Sequence, residues 1–79
     1  MNSKVREILE PLMRYEEWLE TNHEGFAEAR RGYTEAQRNQ MNAPTIQEAN
    51  EWQDIRLTYA DKLATIREEM KETYQKANA

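Results

Sequence analysis

One spacing in this chain could support chemistry: Glu20-Thr21-Asn22-His23, which sets a carboxylate and an imidazole one helical turn apart. Dimerised helical hairpins build carboxylate-bridged two-metal sites from such Glu-x-x-His pairs when another helix contributes an inward glutamate. Glu68, or its neighbour Glu69, stands at a matching height on the helix that should lie opposite. The apolar phase of the surrounding helix, however, makes Glu20 and His23 flank the core and gives the central position to Asn22. In so glutamate-rich a chain a Glu-x-x-His match arises easily by chance. The expectation is no bound metal or other cofactor, with His23 solvated, and Glu20, His23 and Glu68 remain the candidate ligands.

Nucleophilic chemistry has less to work with. Cysteine is absent, Ser3 is the only serine and sits at the terminus far from His23, and Gly25 and Gly32 are isolated rather than part of a phosphate loop. Catalysis also needs a concave site that excludes water, which a pair of helices does not offer. No enzymatic activity is expected.

The elements follow from punctuation and period. Pro44 disfavours helix at the residue before it, and Thr45 with Glu48 spells a capping box, so a link at residues 42–45 should separate two helices. Upstream, Val5, Ile8, Leu12, Tyr15, Leu19, Asn22, Phe26, Ala29, Tyr33 and Ala36 keep one heptad phase, which predicts a long helix over about residues 3–41. Pro11 and Thr21–Gly25 are the two places where that helix should kink or break. Because the phase survives both, a kinked continuous helix is preferred to three separate helices. Asn22 reads either as a register-setting polar residue in the seam or, if Gly25 marks a break, as a turn residue.

Downstream, Trp52, Ile55, Tyr59, Leu63, Ile66, Met70, Tyr74 and Ala77 follow an eleven-residue period, predicting a nearly straight helix over about residues 46–77. The short link forces the helices antiparallel, placing Ala36 near Trp52 and Phe26 near Leu63. The fold expected is therefore all-α: one domain over residues 1–79, built as a coiled-coil-like helical hairpin. Leu57, Ala60 and Ala64 on one helix, and Pro11, Trp18, Gly25 and Gly32 on the other, leave apolar surface that the seam does not cover. That excess, with glycines at seven-residue spacing, points to homodimerisation into a four-helix bundle.

Composition agrees with this architecture and narrows the partners. Of 79 residues 33% are charged and 38% apolar, lean for a globule but ordinary for long helices with one buried stripe. Without disulfides, a core of this size supplies only about 3–5 kcal/mol, which again favours oligomerisation. No signal peptide or membrane span is legible, so a cytoplasmic setting is expected with no membrane partner. A net charge of −4 disfavours nucleic acid.

Charge is unevenly spread. Met1–Glu24 carries three basic and six acidic side chains, whereas Gly25–Pro44 carries three basic and two acidic. The exposed helical face bearing Glu17, Trp18, Glu24, Arg31 and Arg38 is the candidate surface for a protein partner; Trp18 beside the seam reads as a dimer anchor or a binding hot spot, because tryptophan is enriched in both roles, with plain core packing as the preferred reading. In size, helical texture and acidic bias the chain resembles small phage or mobile-element accessory proteins. That resemblance implies an inhibitor, adaptor or assembly factor acting on a larger complex. The alternatives are a metal-binding hairpin oligomer and a structural scaffold subunit.

Overall fold

The computed structural model describes residues 3–78, with side chains from Lys4 onward; Met1, Asn2, Ala79 and the Ser3 side chain lie outside the described residues. The described chain forms four helices and no strand: α1 (Ser3–Asn22), α2 (Glu24–Met41), α3 (Ile46–Glu69) and α4 (Lys71–Ala77). An antiparallel hairpin of α2 and α3 forms the body, and α1 joins it only by its C-terminal half.

The long first helix expected from the heptad phase is two helices. His23 adopts an extended backbone (φ −131°, ψ 103°) and its ring Nδ1 accepts a hydrogen bond from the Phe26 N–H at 3.0 Å. It thus satisfies one of the orphan donors that every helix start exposes, in the manner of a serine or aspartate cap. Asn22 closes α1 from the other side, its side-chain N–H donating to the Trp18 carbonyl at 2.9 Å. Asn22 is exposed, so of its two readings the structure takes the turn residue. A heptad phase records which residues are apolar, and it persists across a corner whenever both arms pack on the same core. Pro11, by contrast, lies within α1.

The link at residues 42–45 is where the sequence places it. Asn42 closes α2, with both its backbone and side-chain N–H groups donating to the Arg38 carbonyl, and the Thr45 hydroxyl accepts from the Glu48 N–H at 3.1 Å to open α3. The straight second helix expected over residues 46–77 is interrupted at Met70, beyond which the chain resumes as the short α4.

The core sits where three helices meet. Leu19 of α1, Phe26 and Ala29 of α2 and Leu63 of α3 are buried together, with Tyr15, Trp18, Tyr33, Tyr59, Ile66 and Met70 packed around them. Phe26 and Leu63 meet as the antiparallel pairing requires. Ala36 is buried further along the hairpin. Gly32 is explained within one chain: a Cβ there would come closer than 3.0 Å to the Tyr59 ring of α3, so glycine lets the ring approach the α2 backbone closely. This removes Gly32 from the grounds for dimerisation.

The molecule is open. Its radius of gyration is 15.4 Å over extents of 48 × 32 × 16 Å, against about 12 Å for a compact domain of this length. The cause is α1: every side chain from residue 4 to residue 14 is exposed.

Candidate interaction surfaces

Several side chains fasten α1 to the hairpin. The Tyr15 hydroxyl donates to the Arg67 carbonyl, while the Arg67 Nε donates to Glu16 at 2.5 Å. Arg30 of α2 reaches Glu16 and Glu20, each at 3.4 Å, so Glu16 bridges two arginines from different helices. Burial pushes the Tyr15 hydroxyl above its ordinary pKa; the charges of Glu68 and Glu16 add to that effect and Arg67 opposes it. Tyr15 and Trp18 also meet Tyr74 of α4, at ring-centroid distances of 4.7 and 5.3 Å.

These contacts account for the candidate metal ligands. Glu20 faces Arg30, His23 spends its Nδ1 on the Phe26 N–H, and Glu68 lies beside Tyr15. The three are engaged separately, and no group of three or more potential metal-ligating side chains occurs among the described residues. The His23 side chain is part-buried rather than fully solvated.

The candidate partner-binding residues fall into separate patches. Trp18 is half-buried, its ring edge against Tyr74, and with Glu17 it borders a shallow depression between α1 and α4. Arg31 and Arg38, exposed on α2, line an open cleft with Glu20, Arg30 and Glu35. Glu24 is exposed in the first turn of α2, where a carboxylate complements the helix dipole. Tryptophan is therefore tied into the fold, whereas the arginines face solvent.

Two further surfaces carry no chemistry that spacing alone identifies. At the hairpin tip Met41 and Ile46 are 80% and 82% exposed, the highest values among the exposed large apolar side chains. Arg38 stands one turn before Met41, on the same side of α2. Along α1, Val5, Ile8, Leu9, Leu12 and Met13 form an amphipathic stripe at helical spacing that the described residues leave exposed; Ile8 is 66% exposed, Leu12 59% and Met13 58%. The periodicity identified Val5, Ile8 and Leu12 as apolar-face residues but assigned them to the hairpin seam. Met41 and Ile46 stood in the sequence beside the link, where a helix terminus projects side chains away from the seam.

No described helix is long and apolar enough to cross a membrane. No protein-family model, curated protein or solved structure matches the chain, so these surfaces are read from their own chemistry.

Proposed function

We propose that the protein is a non-enzymatic, cytoplasmic interaction module that docks on a larger macromolecular complex as an inhibitor, adaptor or assembly factor, using the tip of the α2–α3 hairpin and the adjoining arginine face. The observation that carries this reading is the pair Met41 and Ile46, each four-fifths exposed at the two helix ends that flank a link held by side-chain caps. The capped backbone beneath these two apolar side chains has little conformational entropy left to lose on binding. Arg38, one turn from Met41, and Arg31, about two turns further back along α2, add charge that suits an acidic partner surface and steers its approach.

The test is capture of the partner from source-cell lysate with the tagged protein, nuclease treatment and mass spectrometry, repeated with Met41→Ser/Ile46→Ser and with Arg38→Glu. The native chain should recover a nuclease-resistant complex in stoichiometric amount, and both variants should lose it while circular dichroism stays the same. Recovery of the same complex by the tip variants would sink the assignment of the contact surface. Loss of binding in step with melting temperature would make those residues structural.

A further inference from the structure

We infer that the free apolar stripe of α1 binds a second copy of this chain, α1 against α1 in antiparallel register, with the two-fold axis passing between Ile8 and Leu9. This inference uses a different face from the hairpin tip and stands or falls separately.

The stripe has to be covered for the helix to persist. About 18 Å of α1 runs beyond its last contact with the body, and a helical stretch of this length is marginal in water unless an apolar face is packed. Side chains 5–14 are exposed throughout, so the described residues of the protomer bury none of the stripe. The five stripe residues present roughly 500 Å² of apolar surface, the scale at which an exposed patch marks an association site. Burying it on both copies removes about 1,000 Å² in total, the lower bound for a specific interface.

Self-pairing is indicated by shape and charge together. An antiparallel two-fold between Ile8 and Leu9 sets Val5 opposite Leu12 and Ile8 opposite Leu9, each pair occurring twice, with Met13 closing both ends. The same register brings Arg6 of one copy beside Glu10 of the other, again twice, on one flank of the stripe. Pairing in this register spans residues 3–14 of each chain and stops one residue short of Tyr15, where α1 begins to contact its own hairpin. Each hairpin therefore lies beyond the end of the other copy's α1, and the two bodies do not collide. Parallel pairing would instead crowd both bodies at one end and put the two Arg6/Glu10 flanks on opposite sides of the dimer, where they could not pair across copies. The antiparallel dimer presents two hairpin tips at opposite ends, which makes the module bivalent.

Sedimentation equilibrium of the whole chain tests this, with Ile8→Asp, Arg6→Glu, Glu10→Arg and the Arg6→Glu/Glu10→Arg exchange compared with native protein. All are at exposed positions, so the body should be retained, while helicity of the residue 3–14 stretch should follow association. The native chain should dimerise; Ile8→Asp should weaken association about tenfold or more, each single charge reversal should weaken it less, and the exchange should restore it. Register is read by oxidising an equimolar mixture of Val5→Cys and Leu12→Cys in a chain that has no other cysteine. A disulfide between the two variants is the expected product. A chain that stays monomeric at about 1 mM, where an association worth only about 4 kcal/mol would already show, would overturn the proposal. So would a dimer indifferent to Ile8→Asp, or Val5→Cys linking to itself. Persistence of the dimer in Met41→Ser/Ile46→Ser would separate this face from the hairpin tip.

Discussion

His23 is the residue on which the path of the chain turns. Its Nδ1 must be unprotonated to accept from the Phe26 N–H, and the break it caps lets Leu19 and Phe26 bury in one core from two different helices. His23→Ala should cost about 1 kcal/mol in chemical denaturation, while His23→Asp, which also offers an acceptor, should recover most of that; equal losses in both would show that the ring packs rather than caps. Tyr15 gives a pH dependence of definite sign. Its hydroxyl pKa is raised in the fold, chiefly by burial, so the native state holds that proton more tightly than the unfolded chain does. The resulting stability is complete below the ordinary tyrosine value of about 10 and is lost as pH rises through the raised value. Melting temperature should therefore fall more steeply above about pH 10 in the native protein than in Tyr15→Phe, and parallel curves would remove Tyr15 from the account. Glu16, between Arg30 and Arg67, is partly solvated, and Glu16→Gln should cost no more than about 1 kcal/mol.

Among the helices, α2 and α3 are held by a seam in which small residues face large ones, and Gly32 against Tyr59 is its tightest point. Gly32→Ala would gain about 1 kcal/mol of helix propensity but must displace the ring, and overpacking of this kind typically costs about 1–3 kcal/mol. Net destabilisation is expected, and Tyr59→Leu in the same chain should relieve part of it; a stabilised Gly32→Ala would mean that the two helices part more easily than their packing indicates. α1 behaves differently along its length. Its C-terminal half is anchored by Tyr15, Trp18 and Leu19, and its N-terminal half has no such support. In hydrogen exchange at low protein concentration, amides of residues 4–14 should exchange fastest and those around Phe26 and Leu63 slowest. Protection of 4–14 that grows with concentration would track the antiparallel pairing.

For the whole molecule, an extent of 48 Å with so small a core describes a chain that leaves much of its apolar surface outside its own interior. Removing residues 1–13 should leave the unfolding of the hairpin almost unchanged and abolish self-association, because none of the described side chains removed is buried. A large loss of stability at low concentration, where the chain is monomeric, would mean that the arm supports the body. X-ray scattering should follow the same division, with a radius of gyration near 15.4 Å for the monomer and a larger, elongated particle as concentration rises.

The amino-acid order by itself determined the class of the fold, the place of the hairpin turn and the pairing of Phe26 with Leu63. These depend on local chemistry and on period: proline, threonine and asparagine at the link, and apolar spacing along two helices. The Glu-x-x-His match was legible too, but its meaning was not, since only the packed structure shows Glu20 turned to Arg30 and His23 turned to its own helix. Periodicity marks which face of a helix is apolar without naming what lies against it. For that reason the stripe of Val5, Ile8 and Leu12 and the buried pair Leu19 and Phe26 look alike in sequence. The corner at His23 sends the latter into the core and carries the former out to solvent, a difference decided by the direction of the chain in space.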